Sequence, residues 1–410
     1  MSTQNPAITQ RAEREAAELS GQPPHSGDGN GSPAGGNGLF EWQMPRGPED
    51  PQSWQNYTFD TAKWWGTFPR HEPAAVHGRA ADDELFAQYP WAIGPFRKHR
   101  RNPVLAPTPD AWDSGRYNGG VHNGAIVRHD GRFHYVYRGE RPIDVPLDTS
   151  IDYICDIGLA TSDDGMTFAK DQVHSPFFRR GDARRYSYED VCLVRHEGTY
   201  FLFCNQWLWG EQQNTALNGT FLATSTDLRH WERRGIVFPK ADRTHRNGVV
   251  VQDPHNNAVR VNGKFVMYIN DGLIGYSDDL VHWESDEIAH DLWPGGEGCF
   301  ALAGHDPARP DDVVLFTGGH HHGHFYAIGQ VLFDQRDPTR AVAYLPRPML
   351  TADPSIPHES GRRPEPPHER VSSFRDCIFF NALTRHAGQW WLYYGGSEYY
   401  TCLATAPARH

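Results

Sequence analysis

Polar and charged side chains recur at the beginnings of short apolar segments along this sequence. Each of these segments carries an acid, an amide or an arginine beside β-branched or aromatic residues. Cleavage of a glycosidic bond needs a protonated acid together with a base or a nucleophile, so a cleft lined by several carboxylates suits that chemistry. The candidate site residues of this kind are Asn123, Arg138, Tyr188, Glu189, Asp190, Arg246, Asn247, Asp271, Glu297, Asp376 and Glu398.

A histidine cluster reads Gly319-His320-His321-His322-Gly323-His324. On an extended strand His320, His322 and His324 would share one face, and imidazoles at this spacing can bind a metal ion. No acidic or cysteine partner is adjacent, which favours a solvated loop in which one histidine, taken here as His322, contacts the substrate. We therefore expect no metal site and no cofactor.

The elements that must position these residues repeat along the chain. A glycine turn leading into an aromatic or apolar strand occurs five times, and each copy alternates its side chains as a strand requires. A second strand follows each copy, and the first three of these end in a Ser/Asp turn and an aromatic residue. The five copies are Asp130–Glu140, Glu197–Gln206, Asn262–Asp271, Asp311–Gly319 and Ala387–Gly396. This repetition predicts an all-β, five-bladed β-propeller; the alternative is a β-sandwich with similar hairpins.

Composition narrows the function classes. The 410 residues carry a net charge of −12, from 39 Lys and Arg against 51 Asp and Glu, so the basic balance of a nucleic-acid-binding protein is absent. No segment approaches the ~18–20 consecutive apolar residues of a membrane helix. The six cysteines are far apart, and the beginning of the sequence does not resemble a secretory leader, so we expect a cytoplasmic protein with reduced thiols. Aromatic residues make up 12% of the chain, which suits a small carbohydrate as the partner.

Three regions follow from the composition along the chain. Residues 1–39 are rich in Gly, Ser, Pro and Asn, which predicts a disordered tail. Residues 40–90 contain too many aromatic residues for a free linker, which predicts an irregular arm packed on the catalytic domain. This arm would cover a rim of the active site or form a contact in a homo-oligomer. Residues 91–410 would form the propeller.

Several ordered segments resemble glycoside hydrolase family 130. The first is Trp91–Glu140, the second is Ser187–Val194, which is similar to the family's E-D-P-R element, and the last are Ile328–Leu350 and Trp390–Ala406. The resemblance covers residues 91–407. It implies a five-bladed propeller that acts on β-mannosides, either by phosphorolysis or by hydrolysis.

The resemblance also implies roles for individual residues. Asp190 matches the family's general acid, and Asn123 and Arg138 match residues that bind the sugar in the −1 subsite. Glu398 stands where the family usually has an Asp that contacts sugar hydroxyls. Arg246-Asn247 resembles an Arg-Asn pair that meets phosphate in the phosphorylases.

This sequence departs from the family pattern where phosphate would bind. Val191-Cys192 replaces the Pro-Arg of the E-D-P-R element, and the positions of three basic phosphate ligands fall near Ala303-Gly304, at Phe316–Gly318 and near Asn270. A phosphate dianion needs several positive partners to offset its desolvation. We therefore expect hydrolysis rather than phosphorolysis.

An inverting hydrolase needs a base, for which Glu297 is the first candidate and Asp271 the second. The base and the acid would then stand ~6.5–9.5 Å apart, with water between them. The alternatives are a phosphorylase that releases a sugar 1-phosphate, a propeller glycosidase with another sugar specificity, and a non-catalytic sugar-binding propeller.

Overall fold

The computed structural model describes residues 83–408, except for 116–118, 143–152, 179–185, 209–213, 271, 288–296, 307, 310–311, 322–323, 335, 346–347, 373 and 375. The predicted disordered tail and most of the predicted arm lie outside the described residues. The described end of the arm region forms a short helix, α1 (Asp83–Gln88), whose Leu85 and Phe86 are buried. Among the described residues no helix is long and apolar enough to cross a membrane.

The described chain is otherwise built from β-strands, as the repeats predict. After strand β1 (Arg97–Lys98), a first four-stranded antiparallel sheet contains β2 (Val121–His129), β3 (Arg132–Pro142), β4 (Tyr153–Ser162) and β5 (Ala169–Lys170). A second contains β6 (Tyr186–His196), β7 (Thr199–Leu208), β8 (Gly219–Ser225) and β9 (Glu232–Ile236).

The third and fourth repeats form one continuous sheet. The third repeat supplies β10 (Val249–Gln252), β11 (Arg260–Val261), β12 (Lys264–Ile269), β13 (Leu273–Ser277) and β14 (Trp283–Glu287). The fourth supplies β15 (Glu297–Leu302), β16 (Val313–His321), β17 (His324–Asp334) and β18 (Asp337–Tyr344). Strands β10 and β15 pair in parallel, with Val251 opposite Ala301, which joins both repeats into a nine-stranded sheet. In hydrogen bonding, the repeats therefore give four sheets rather than the five separate blades predicted.

The last sheet joins distant parts of the sequence. It contains β19 (Ile378–His386), β20 (Gln389–Gly396) and β21 (Tyr400–Pro407), and its edge is completed by β1, which pairs with β21. A short 3-10 helix (Pro357–Glu359) precedes it. The first strands of successive repeats contact one another in the order β2, β6, β10, β15 and β19, and β19 contacts β2.

Tight turns explain why the sequence repeats. Four hairpins, which lead into β3, β7, β12 and β20, turn on two residues that both have positive φ, the arrangement of a type I′ turn. Gly at the second position adopts positive φ without steric cost. The residue at the first position is not Gly, so its left-handed backbone conformation costs energy. The four pairs are Asp130-Gly131, Glu197-Gly198, Asn262-Gly263 and Ala387-Gly388.

A buried polar network secures β1 against the last sheet. Lys98 Nζ lies 2.5 Å from Glu359 Oε2, and these side chains are 10% and 0% exposed. Lys98 also donates to the Thr351 carbonyl at 2.8 Å, and the Tyr394 hydroxyl donates to Glu359 Oε1 at 2.7 Å. Each charge in this network is therefore paired and hydrogen-bonded, the condition under which a buried ion pair is tolerated.

Lys98→Met is expected to destabilise the protein by about 3–5 kcal/mol, because it leaves the Glu359 carboxylate buried without its cation. Denaturant unfolding of the variant and of Lys98→Met/Glu359→Gln measures this effect. The double variant should recover most of the loss, since a neutral amide can occupy the site. Equal stability of wild type and Lys98→Met would show that the ion pair contributes nothing to the attachment of β1.

Candidate functional site

One position, on or just before the first strand of each repeat, carries Asn, Asp or Gly. The five residues are Asn123, Asp190, Asn247, Gly298 and Asp376. In β2, β6 and β15 the strand register shifts at this position, which marks a β-bulge. The four residues other than Gly298 have φ between 44° and 53°. Left-handed backbone is costly for residues other than glycine and clusters at functional sites. A bulge also redirects a side chain out of the regular alternation.

The Asp190 carboxylate is where the predicted site residues meet. Its Oδ1 accepts hydrogen bonds from Asn123 Nδ2 at 2.7 Å and from Arg138 Nη1 at 3.3 Å. Its Oδ2 accepts one from Asn205 Nδ2 at 3.0 Å. The side chain is 23% exposed, so the carboxylate stays open to a ligand. The structure thus brings three predicted residues from the first two sheets together.

Arg138 lies between three carboxylates on the floor of this cluster. Its Nη2 is 2.5 Å from Glu140 Oε1, and its Nη1 is 3.8 Å from Glu189 Oε2 as well as bonded to Asp190. Burial opposes the charge of the guanidinium, but Cys155, Glu140, Glu189 and Asp190 together raise the pKa of Arg138 well above its usual value. The planar guanidinium therefore orients the Glu140 and Asp190 carboxylates at the same time through two different nitrogens, which the single ammonium group of a lysine could not do.

Glu189 is a second candidate proton donor. Burial, together with the neighbouring Asp190 and Glu140 carboxylates, raises the pKa of Glu189, although Arg138 and Arg246 oppose the shift. Ser187 Oγ donates to its Oε1 at 3.3 Å. A carboxyl group that holds its proton more strongly than usual is suited to general-acid catalysis near neutral pH. The E-D pair thus offers two acids rather than one.

Glu398 reaches the cluster from the tight loop between β20 and β21. Ser397 and Glu398 both have left-handed backbone, with φ of 50° and 56°. Glu398 Oε2 lies 3.4 Å from Nδ1 of the fully buried His122. Burial raises the pKa of Glu398, and the nearby His122 and Arg138 offset part of this shift. The predicted Glu398 therefore belongs to the same site as Asp190.

Asn205 connects Asp190 to the third repeat, and the sequence had not singled it out. Its amide contacts Asn247 Oδ1, and its own Oδ1 accepts a hydrogen bond from the Asn247 backbone N–H at 2.8 Å. The neighbouring Arg246 guanidinium lies 5.6 Å from the centre of the Trp207 ring. Strand pairing is a signal that could have found it, because Asn205 stands opposite Glu189 as Arg138 stands opposite His122.

Glu297 is the first residue of β15, and Asp376 stands just before β19. Burial and then the Glu297 charge raise the pKa of the Tyr326 hydroxyl, to which Glu398 and Asp190 also contribute. Asp376 and Glu398 likewise contribute, after burial, to the raised pKa of the Cys377 thiol. The expected distance between Glu297 and Asp190 stays a prediction.

Tyr326 is a further residue of this region that the sequence analysis did not select. Its φ is 74°, which is rare for a bulky side chain, and its ring packs edge-on against Phe379 with 5.0 Å between centroids. The space above Gly318 is filled by Phe379, because a Cβ at Gly318 would lie 2.2 Å from that ring. The glycine opposite Glu297 therefore makes room for the Phe379–Tyr326 pair.

One predicted site residue lies away from the cluster, and two others cannot be placed because they lie outside the described residues. Tyr188 is 2% exposed in the hydrophobic core, where its hydroxyl donates to Gln206 Oε1 at 3.1 Å and its ring lies 5.3 Å from the Arg233 guanidinium. Asp271 and His322 lie outside the described residues. Within the described ranges, no group of three or more His, Cys, Asp or Glu side chains is arranged to hold a metal ion.

Known proteins are similar to this chain in sequence and in fold, although no family model matches it. It is 25% identical over 304 residues to a 1,2-β-oligomannan phosphorylase of Thermoanaerobacter sp. (strain X514), covering 72% of this chain and 92% of that protein. It is 22% identical over 276 residues to a β-1,2-mannobiose phosphorylase of the same organism, covering 60% and 80%.

Solved structures show the same fold. One solved structure matches this chain with a TM-score of 0.62. It is described as belonging to the GH130 family of mannoside phosphorylases, which contains glycoside hydrolases that target β-1,2-mannosidic linkages in Candida mannan. It is 24% identical, and the match covers 77% of this chain and 94% of the other. The fold that holds the Asp190 cluster is therefore one that mannoside-cleaving enzymes use.

Proposed function

We propose that this protein, a distant homologue of the glycoside hydrolase family 130 enzymes as its sequence predicted, cleaves β-mannosidic bonds with Asp190 as the proton donor. The observation that carries the proposal is the convergence of Asn123, Arg138 and Asn205 on one partly exposed carboxylate. A catalytic acid must be held in one position yet remain reachable by substrate. Short β-1,2-linked mannosides are the proposed substrates, since the phosphorylase relatives are named for them.

The chemistry assigned to each side chain follows from its contacts. Asp190 gives its proton to the glycosidic oxygen as the bond from that oxygen to the anomeric carbon breaks. Asn123 and Arg138 border the same carboxylate and would hold the mannose ring, and Glu398 would accept a hydrogen bond from a sugar hydroxyl. The nucleophile then forms the new bond to the anomeric carbon from the opposite face.

Phosphate is the first candidate nucleophile, which would make the enzyme a phosphorylase that releases mannose 1-phosphate. Both curated relatives are phosphorylases, and this supports phosphorolysis better than the hydrolysis that the sequence favoured. Arg246, stacked near Trp207 beside the Asn205–Asn247 pair, would contribute one of the positive partners that the anion needs.

Water is the second candidate nucleophile, and the charges of the described site favour it. At two positions where the resemblance expects basic phosphate ligands, the chain has Asn270 and Thr317. Asn270 is 5% exposed, and its Oδ1 has no hydrogen-bond partner among the described residues. Each of Glu189, Asp190, Glu297 and Glu398 would repel a phosphate dianion whenever its carboxyl group is ionised. In a hydrolase, Glu297 would act as the base that activates water.

We also propose that the four sheets are the blades of one five-bladed propeller, with the third and fourth blades joined through β10 and β15. The cyclic order of contacts among the first strands supports this arrangement. In it, residues 91–410 form the catalytic domain. Residues 40–90 would form the arm at the rim of its cleft, and residues 1–39 would form the tail.

A product assay with β-1,2-mannobiose, with and without inorganic phosphate, tests the proposed function and separates the two nucleophiles. Mannose 1-phosphate formed only with phosphate would establish a phosphorylase, and free mannose without phosphate would establish a hydrolase. Both activities should be lost in Asp190→Asn. If β-mannosides of any linkage stay intact under both conditions while the protein is folded, the proposed substrate class is wrong.

A further inference from the structure

His122 occupies an unusual position for a histidine, because both of its ring nitrogens face carboxylates. The side chain is fully buried on β2. Its Nε2 is hydrogen-bonded to Glu140 Oε1 at 3.2 Å, and its Nδ1 lies at the ion-pair distance of 3.4 Å from Glu398 Oε2, without the angles of a hydrogen bond. Neither the sequence resemblance nor the proposed catalytic steps give this residue a role.

The contacts of His122 form part of a longer chain of alternating charges. Glu140 Oε1 also lies 2.5 Å from Arg138 Nη2, and Arg138 Nη1 lies 3.3 Å from Asp190 Oδ1. The order Glu398, His122, Glu140, Arg138, Asp190 therefore runs from the last sheet through the first sheet to the second. The middle members are almost completely buried, with Glu140 1% exposed and Arg138 8% exposed.

The hydrogen positions in this chain follow from simple chemistry. A neutral imidazole has one N–H donor and one nitrogen lone pair, and a lone pair facing a carboxylate oxygen is repelled. Two carboxylates around one ring favour an imidazolium, or a proton on Glu398 that the ring nitrogen can accept. In both cases His122 and Glu398 share one proton.

The groups that face His122 favour this proton. Burial alone disfavours a charged ring, but the Glu398 and Glu140 carboxylates outweigh it and raise the pKa of His122, although Arg138 opposes them. From β6, Glu189 and Asp190 face Arg138. From β20, Gly395 packs against the His122 Cβ without adding charge.

We propose that His122 is a positioning residue whose shared proton holds Glu398 and, through Glu140, Arg138 in the arrangement that binds the sugar. The proposal rests on the proposed function for its catalytic consequence. The left-handed backbone at Ser397 and Glu398 agrees with it, because a strained loop that presents Glu398 needs a partner to hold the side chain in place.

The proposal has a pH consequence of definite direction. Because the folded-state pKa of His122 lies above that of a free imidazole, its charge is complete below about pH 6.5 and is lost as the pH rises through the raised value. Loss of the proton would leave Glu398 and Glu140 facing an uncharged ring. Sugar binding should therefore weaken on the basic side of neutrality.

Histidine NMR tests the shared proton without any assumption about the substrate. In protein labelled with 13Cε1-histidine, the signal absent from His122→Asn identifies His122, with His122→Gln as a substitute if the Asn variant does not fold. The midpoint of this signal should lie above pH 6.5, and Glu398→Gln should lower it by about one pH unit or more. A midpoint at or below 6.5, or one that Glu398→Gln leaves unchanged, would overturn the proposal even if the enzyme proves to act on another sugar.

Kinetics on whichever mannoside the product assay identifies test the positioning role. His122→Asn should raise KM by about tenfold or more at pH 7, the effect of losing a charge-assisted hydrogen bond, and should shift the basic limb of the kcat/KM profile so that only the titration of the general acid remains in it. His134→Asn is the matched control, because His134 is also buried, on β3 of the same sheet, and its pKa is lowered to about 4, mainly by burial. An unchanged basic limb in His122→Asn, or the same change in His134→Asn, would contradict the positioning role.

Discussion

Asp190→Asn is expected to lower kcat/KM on β-1,2-mannobiose by about 10²–10⁴-fold, the usual contribution of a general acid. An amide cannot supply the proton that the departing sugar oxygen needs. The loss should be much smaller on a dinitrophenyl β-mannoside, because that leaving group departs without protonation. Steady-state kinetics on both substrates measure this difference.

The fold should survive this substitution. All three partners of Asp190 are donors, so an amide at this position places its own N–H against one of them. The amide of Asn123 can turn to accept that N–H, since its Oδ1 is buried and has no partner among the described residues. Asp279→Asn, in the turn that follows β13, is the matched control and should keep full activity.

Glu189→Gln distinguishes the two acids of the pair. Suppose that Glu189→Gln lowers kcat/KM much more on β-1,2-mannobiose than on the dinitrophenyl β-mannoside, whereas Asp190→Asn lowers kcat/KM equally on both substrates. Glu189 would then donate the proton, and Asp190 would only orient the sugar. That outcome would agree with the raised pKa of Glu189 and would contradict the role proposed for Asp190.

Arg138→Met is expected to abolish measurable activity and to destabilise the protein by about 3–5 kcal/mol. The substitution leaves the buried Glu140 without its guanidinium partner, with only the His122 ring beside it, and releases Asp190 from one of its three donors. Denaturant unfolding and the product assay measure the two effects separately.

Two further variants separate charge from geometry at Arg138. Arg138→Met/Glu140→Gln should regain most of the stability but not the activity, because it removes the unpaired charge and leaves Asp190 without the guanidinium. Arg138→Lys keeps a positive charge but cannot hold Glu140 and Asp190 with two separate N–H groups. If Arg138→Lys is as active as wild type, only the charge matters, and the orientation argument fails.

The strands and the centre of the site were accessible from the sequence because both depend on local patterns. Alternating side chains and Gly turns identified the second strand of each repeat, and the bond between Asn123 and Asp190 joins equivalent positions of neighbouring repeats. Arg138 contacts both Glu140, two residues along the same strand, and Asp190 of the next sheet.

The predictions from the sequence were wrong or incomplete where a local pattern was interrupted, or where contacts join residues that are far apart in the sequence. Tyr188 and Asp190 are two residues apart and should share a strand face, but the bulge that follows Glu189 breaks the alternation, so that Tyr188 enters the core. Asn205 is invisible to a local pattern, because its importance depends on strand pairing with β6. The parallel pairing of β10 with β15 likewise depends on how two repeats approach each other in space.

The attachment of β1 to β21 has a consequence for how the protein is made. Asn102, just after β1, bonds through its amide to the carbonyl of Leu403 on β21, 301 residues later in the chain. During synthesis on the ribosome, β1 therefore cannot pair with β21 until nearly all of the other strands have emerged. Pairing across so long a separation is intrinsically slow and leaves strand edges exposed meanwhile. Completion of the last sheet should therefore be the step at which a nascent chain is most open to aggregation and most dependent on chaperones.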